Sequence, residues 1–200
     1  MHAIHTTPGF IVGSGQYGEA GKLISIFTRE MGLVRAVAQG IRFEKSKLRY
    51  HTTDYSFGTF SLVRGKEVWR LTSAQSDPSS SPNGVTIDSI SFWAQISVLL
   101  RRLLQGEEAN DRLFDALYAC NIFLNEATKN VDIDQRQNID AVESLLVIRI
   151  LHTLGYIGDD KEIHGFIYSN DFTPSLLDLA ARKRVLMNQH INKALKESHL

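Results

Sequence analysis

Residues 23–38, LISIFTREMGLVRAVA, contain two short apolar runs, 23–28 and 33–38, on either side of a turn at Gly32. Their length and their β-branched content are typical of strands. Three further runs of this kind lie in the same half of the chain: 9–12, 57–63 and 68–72. Five short strands predict a small closed barrel, because closure removes exposed strand edges. We favour the five-stranded OB-fold barrel, although an SH3-like barrel fits the number of strands equally well.

The second half of the chain has a helical period instead, with apolar residues recurring every three or four positions. Three apolar stripes follow one another: Ile90, Trp93, Ile96, Leu99, Leu100, Leu103 and Leu104; then Leu113, Leu117, Cys120 and Leu124; then Val142, Leu145, Leu146, Ile150 and Leu154. Asn110 is a typical N-cap for the second helix, and Gly155 is a typical residue just past the end of the third. Thr173 and Pro174 predict the start of a fourth helix that runs towards Lys196.

The two halves meet at residues 76–84, SDPSSSPNG, where Ser, Pro, Asn and Gly cluster without an apolar period. We therefore predict an α+β protein of two domains: an OB-fold nucleic-acid-binding barrel at 1–76, a linker at 77–87, and an all-α helical domain at 88–200.

The charge of the chain supports this division. Net charge is zero, yet residues 1–76 carry ten basic and five acidic side chains, whereas residues 77–200 carry twelve and seventeen. A basic unit is suited to phosphates, and an acidic one is not. No stretch reaches the roughly 20 apolar residues of a membrane helix, and the start of the chain lacks a signal-peptide layout. We expect a cytoplasmic protein with no membrane partner.

The glycines of residues 13–18, GSGQYG, match the G-x-G-x-x-G pattern of dinucleotide-binding sites. Such a site also needs an acidic residue after the second strand, where this chain has Gln39, and further βαβ units, which the strand pattern does not provide. We therefore interpret these glycines as shaping a turn between barrel strands. A nucleotide-dependent oxidoreductase is an alternative that depends on Gly13, Gly15 and Gly18 alone.

The most informative stretch for function is residues 40–50, GIRFEKSKLRY, which predicts a loop between barrel strands. Cations on such a loop can follow a phosphate backbone while aromatic rings stack on bases. We expect the DNA-binding residues to be Arg35, Arg42, Lys45, Lys47, Arg49, Arg64 and Arg70, with Phe43 and Tyr50 as candidates for base stacking.

Catalytic and metal-binding patterns are weak. His2 and His5 lie at a terminus without a third ligand, and Cys120, the only cysteine, falls on an apolar helix face, which is typical of a core residue. No nucleophile–base pair is apparent. We expect no enzymatic activity, no cofactor and no metal. Two other functions stay open: an OB-fold RNA-binding factor, and a protein-interaction scaffold that does not bind DNA.

Several segments of the chain, taken in order, resemble the bacterial RecO family, the recombination mediators of the RecFOR repair pathway. The matching segments are Gly18-Glu19, LISIFTREMGLVRAVAQG at 23–40, KSKL at 45–48, LVRG at 62–65, VWRLT at 68–72, Leu103-Leu104, Leu113-Phe114, VIRIL at 147–151 and LGY at 154–156. The resemblance is dense over residues 9–75 and patchier through 88–156.

This resemblance implies an OB barrel followed by a helical domain. It also implies binding of single- and double-stranded DNA, annealing of complementary strands, a complex with RecR, and contact with the C-terminal tail of single-stranded-DNA-binding protein (SSB). Together these activities help RecA to load onto SSB-coated DNA, in the cytoplasm and at the bacterial nucleoid. The family's basic barrel surface corresponds here to Arg35, Arg42, Lys45, Lys47 and Arg49.

The chain departs from the family at two places. Gln39 stands where members often have lysine, which removes one cation. Many members carry a four-cysteine zinc module after the Leu-Gly-Tyr segment, whereas residues 157–173 contain no cysteine. We therefore expect the helical domain to lack the zinc module. For the SSB tail, Arg101, Arg102, Arg112 and Arg149 are all candidate contacts.

Overall fold

The computed structural model describes residues 3–78, 87–127 and 135–197. These residues form two compact units, Met1–Asp111 and Arg112–Leu200, which we call the barrel unit and the helical unit. The helix that begins at Ile87 belongs to the barrel unit. The domain limits of 1–76 and 88–200 stay a prediction, and most of the expected linker at 77–87 lies outside the described residues.

The barrel unit is built on five strands: β1 Ile4–Tyr17, β2 Gly21–Thr28, β3 Gly32–Ala38, β4 Phe57–Arg64 and β5 Trp69–Ser76. They close in the order β1-β2-β3-β5-β4, in which β3 and β5 are parallel and the other pairs are antiparallel. This closed five-stranded barrel, followed by helices, confirms the predicted OB-fold barrel and the α+β class.

Alternation along the strands fills the barrel. Ile24 and Ile26 of β2 are opposite Ala36 and Val34 of β3, and all four are fully buried in one cluster with Phe60 and other strand residues. Side chains in between, such as Arg35, point to the other side because successive strand residues alternate. The core is therefore formed by every second residue of the strands, whose side chains face the inside of the barrel.

Strand β1 is longer than the sequence predicted. Its first half, from Ile4 to Phe10, pairs with β4, and its second half, from Gly9 to Tyr17, pairs with β2, with a register shift between Ile11 and Gly13. The prediction began at residue 9 because the preceding polar residues and Pro8 look unlike a strand. Paired backbone, together with the Thr6–Ser61 hydroxyl bond of 2.9 Å, outweighs that weak propensity.

The glycine pattern at 13–18 is distributed over a hairpin. Gly13 and Gly15 lie within β1, and only Gly18, with φ of 60°, lies in the turn that leads to β2. The interpretation of a turn is therefore right for Gly18 and wrong for the other two. Because an antiparallel strand follows rather than a helix, there is no helix N-terminus here to hold a pyrophosphate.

Helix α1, Ile87–Leu103, completes the barrel unit. Its Trp93 packs against Phe10 and Phe57, with ring centroids 5.0 and 5.7 Å away, and Phe92 lies edge-on to the same indole at 5.1 Å. All four rings are buried. The first apolar stripe of the helical half thus covers the outside of the barrel.

The helical unit comprises α2 Asp111–Ala127, α3 Gln135–Thr153, α4 His164–Ile167, α5 Pro174–Arg182 and α6 Arg184–Glu197. Helices α4, α5 and α6 all pack against α3. Thr173 Oγ1 caps α5 by accepting a hydrogen bond from the Leu176 amide, as Thr173-Pro174 predicted. Among the described residues, no helix has both the length and the apolar character needed to cross a membrane.

The predicted fourth helix is two helices, α5 and α6, separated at Lys183. The buried residues Leu177, Ala180, Met187, Ile191 and Ala194 keep one apolar period across the break. Lys183 adopts φ of −98° and ψ of 15°, outside the regular helix, although its amide still donates to Leu179. The apolar pattern carries no sign of this break, which is why a single helix was predicted.

Candidate nucleic-acid interface

The outer face of the barrel carries two exposed arginines on neighbouring strands. Val37 of β3 is the register partner of Arg70 on β5, and Arg35 precedes Val37 by two residues, so it points to the same side. Both arginines are exposed. The faces of strands 2 and 3 and the neighbouring loops are the surfaces that OB-folds use to bind oligonucleotides.

The connection between β3 and β4, residues 39–56, holds the predicted basic stretch, and its first part is fixed to the β1–β2 turn. The Arg42 amide donates to the Ala20 carbonyl and its Nη1 donates to the Glu19 carbonyl, both at 3.1 Å. Arg42 therefore positions the loop while its guanidinium stays exposed. Phe43 follows and is 65% exposed, and Lys45 is also exposed.

The second part of this connection is a 3-10 helix, Lys47–His51. Leu48 packs against the barrel core, and His51 Nδ1 lies 2.9 Å from the Ser76 hydroxyl of β5. These contacts hold one side of the short helix to the barrel. On the other side Lys47, Arg49 and Tyr50 are exposed, and Tyr50 is 73% accessible. Four exposed cations and two exposed aromatic rings thus lie close together along residues 42–50, an arrangement that suits base stacking beside phosphate contacts.

Arg64 is placed differently from the other predicted cations. Its Nη1 forms an ion pair with Glu107, and its guanidinium lies over the Trp69 ring, 4.9 Å from the centroid. By contrast, Arg35, Arg42, Lys45, Lys47, Arg49 and Arg70 form no ion pair within the described part of the chain. Glu107 was not predicted as a site residue, because it lies 43 positions from Arg64 and no motif links them.

The helical unit contains the largest fully buried side chain, Arg149, which is 1% exposed. Its Nε donates to the Phe166 carbonyl at 2.8 Å, its Nη2 donates to the Asp171 carbonyl at 2.9 Å, and its guanidinium stacks on Phe172. Burial lowers the pKa of Arg149 to about 10, so the side chain stays charged at neutral pH. This arginine holds the chain between α3 and α5 and is not available to a ligand, whereas Arg101, Arg102 and Arg112 are exposed.

Two other groups in the helical unit have local roles. Cys120 is buried, and burial raises the pKa of its thiol far above the ordinary value, which confirms the core interpretation. Asp159 accepts hydrogen bonds from the Tyr168 hydroxyl and from His152, and these bonds lower the pKa of its carboxyl. Neither group is arranged as a nucleophile beside a general base.

One set of side chains could offer metal ligands. Donor atoms of Asp160, Glu162 and His190 lie within 4.8 Å of one another. No local sequence pattern points to this set, because His190 is 28 residues or more from the two acids. The Asp160 carboxylate already accepts the Glu162 amide at 2.9 Å and lies 3.9 Å from His190, so local contacts account for the cluster. We assign no metal to it.

Comparison with known proteins agrees with the resemblance seen in the sequence. Residues 1–77 match the family described as recombination protein O N terminal. The chain is 29% identical over 123 residues to a DNA repair protein RecO of Clostridium perfringens, covering 62% of this chain and 50% of that protein. For the RecO of Synechocystis the identity is 25% over 164 residues, or 82% and 57% of the two chains.

A third relative is the DNA repair protein RecO of Rubrobacter xylanophilus, which is 30% identical over 116 residues, or 58% of this chain and 46% of the relative. The chain thus spans about half the length of the curated relatives that it matches. The densest resemblance, the family match and the closed barrel all coincide in residues 1–77. The N-terminal part of the chain thus matches the RecO family, and this match confirms the resemblance predicted from the sequence.

Proposed function

We propose that the chain is a non-enzymatic DNA-repair mediator that binds single- and double-stranded DNA through its barrel unit. The observation that carries this proposal is the row of exposed cations and rings along residues 42–50, fixed to the barrel at Arg42 and Leu48. Arg35 and Arg70 extend the positive surface onto the strands. The names of the relatives supply the process, DNA repair.

The proposed mechanism is electrostatic. Two complementary strands repel each other through their phosphates, and a surface that neutralises phosphates on both strands lowers that repulsion. Exposed Phe43 and Tyr50 can stack on unpaired bases without selecting a sequence. The barrel unit would therefore anneal strands by holding them close with their bases accessible, and no bond is made or broken.

The helical unit is proposed to bind protein partners: RecR, the C-terminal tail of SSB and, indirectly, RecA during loading onto coated DNA. This part of the proposal rests on the family resemblance. An acidic tail that ends in a carboxylate needs an accessible cation. In the helical unit exposed Arg112 meets that condition and buried Arg149 does not, while the exposed candidates Arg101 and Arg102 lie on helix α1 of the barrel unit.

Fluorescence anisotropy of a labelled single-stranded DNA over a salt series tests the DNA-binding part. Four to six phosphate contacts predict a slope of log K against log salt of about −3 to −4, at about −0.7 per contact. Adding the complementary strand should then give duplex faster than DNA alone. Equal affinity for an RNA of the same sequence, without annealing, would favour an RNA-binding factor. Absence of binding at low salt would contradict the proposal and favour the interaction scaffold.

A further inference from the structure

Residues 104–111, LQGEEAND, form an acidic strap that follows α1 and lies against the barrel. The Leu33 amide at the start of β3 donates to the Gly106 carbonyl at 3.1 Å. Gly32 is so close to the strap that a Cβ there would be 2.2 Å from the Glu108 carbonyl oxygen. Arg29 and Asp111 form an ion pair at 3.6 Å. The strap therefore has several main-chain and side-chain contacts with the barrel.

Glu107 is the strap residue that reaches the end of the strands. Its Oε1 accepts a hydrogen bond from Trp69 Nε1 at 2.9 Å, and its Oε2 accepts one from Arg64 Nη1. Both carboxylate oxygens are thus engaged, and the indole also lies beneath the Arg64 guanidinium. The three side chains form a closed group, which we call the Glu107 clasp.

The position of the Glu107 clasp relates it to ligand binding. Arg64 ends β4 and Trp69 begins β5, so the clasp lies at the β4–β5 connection, a loop that contributes to oligonucleotide binding in OB-folds. Arg70, the next residue, carries one of the exposed cations of the outer face. A nucleic acid bound along this face would therefore pass close to the clasp.

We propose that Glu107 is an internal substitute for a phosphate group, which holds Arg64 out of the nucleic-acid surface until the strap is displaced. A carboxylate and a phosphate bind the same guanidinium N–H groups. Arg64 and Glu107 are 61% and 39% exposed, so an incoming phosphate can reach the pair and compete for it. The inference rests on the proposed function, since it concerns which cations of that surface are available.

The test is the full chain with Glu107→Gln, measured by anisotropy against a single-stranded DNA. The glutamine carbonyl can still accept the Trp69 N–H, while the charge that holds Arg64 is gone. If Arg64 then gains one phosphate, the salt slope becomes more negative by about 0.7, which corresponds to about fivefold tighter binding at 0.1 M salt. Near-ultraviolet circular dichroism checks that the indole environment is kept.

Glu108→Gln is the matched control, because it removes the same charge from the same strap one residue away. Arg64→Gln supplies the second control. We expect it to weaken the binding of the otherwise unchanged chain less than Arg35→Gln does, and to cancel the gain when combined with Glu107→Gln.

Two results would overturn the inference while the chain still binds DNA. The first is an equal change in DNA affinity for Glu107→Gln and Glu108→Gln. The second is a loss of DNA affinity for Arg64→Gln alone that is as large as the loss for Arg35→Gln. If the unchanged chain does not bind and Glu107→Gln does, the clasp is supported and the proposed function of the unchanged chain fails. If no variant binds, both are overturned.

Discussion

In the barrel unit Arg35, Lys45 and Arg49 extend into solvent without an ion-pair partner among the described residues, whereas in the helical unit Arg149 is buried and donates to two main-chain carbonyls. All four are cationic side chains, yet only the first three are accessible to a ligand. The difference teaches that charge counted along a sequence must be corrected for burial and pairing before it indicates a binding surface. Arg64, clasped by Glu107, is an intermediate case.

The first prediction concerns the packing of α1 against the barrel. This packing stabilises the barrel, and the exposed cations of the loop keep their positions only while the barrel is folded. Trp93→Ala removes a buried indole from between Phe10, Phe57 and Phe92, so we expect unfolding to become easier by about 3–5 kcal/mol. Val98→Ala, on the exposed side of the same helix, should change stability by less than about 0.5 kcal/mol. Equal stabilities of the two variants in urea would contradict this packing.

A second prediction concerns the buried arginine. Arg149→Met keeps apolar contact with Phe172 but leaves the Phe166 and Asp171 carbonyls without their donor. We expect a loss of about 2 kcal/mol of stability, since each unpaired buried group costs about 1–3 kcal/mol and relief of the buried charge offsets part of it. Exposed Arg182→Met is the control. The DNA affinity of the folded Arg149→Met variant should be unchanged. A weaker affinity would contradict the claim that buried Arg149 takes no part in DNA binding.

A third prediction concerns the loop cations. Changing Lys45, Lys47 and Arg49 together to alanine should make the salt slope of single-stranded DNA binding less negative by about 2. All three side chains are exposed, so we expect stability to stay the same. The matched control removes three exposed cations of the helical unit, Lys161, Arg182 and Lys193. If the control variant makes the salt slope less negative by as much as the loop variant does, the loop is not the binding surface.

The smallest expected effect is on the pKa of Asp159 in the helical unit. The hydrogen bond from Tyr168, and then that from His152, hold the pKa of Asp159 below the ordinary value of about 3.9. Its contribution to stability is therefore present above pH 3.9 and is lost as the pH falls through the lower folded-state pKa. Carboxyl NMR titration should record a midpoint below 3.9, which Tyr168→Phe raises. If the titration midpoint of Asp159 is unchanged in Tyr168→Phe, the hydrogen bond from Tyr168 is not the main cause of the lowered pKa.

How far the sequence could predict the structure varies from element to element. The strands around residues 23–38 were recognisable because alternation and β-branched residues act locally, and Thr173-Pro174 marked a helix start for the same reason. The first half of β1 was not recognisable, because its polar residues are ordered by pairing with β4, more than 50 residues away.

The candidate site also has features that the sequence predicts and features that it does not. Exposed cations along residues 42–50 followed from composition, but the sequence could not separate Arg64 from them, because its partner Glu107 comes from the distant strap. Nor could it predict that Arg149 is buried, since arginine is ordinarily exposed and its acceptors here are main-chain carbonyls of a later segment. Contacts made at long range between polar groups leave no local pattern.

The central claim is that nucleic acid binds the exposed cations of the barrel unit. The most direct measurement is an NMR titration of the ¹⁵N-labelled full chain with a short single-stranded DNA at low salt. We predict the largest amide shift changes at Arg35, at residues 42–50 and at Arg70, with residues 112–197 nearly unaffected. Shift changes concentrated in residues 112–197, or none at DNA concentrations that saturate anisotropy, would contradict the account.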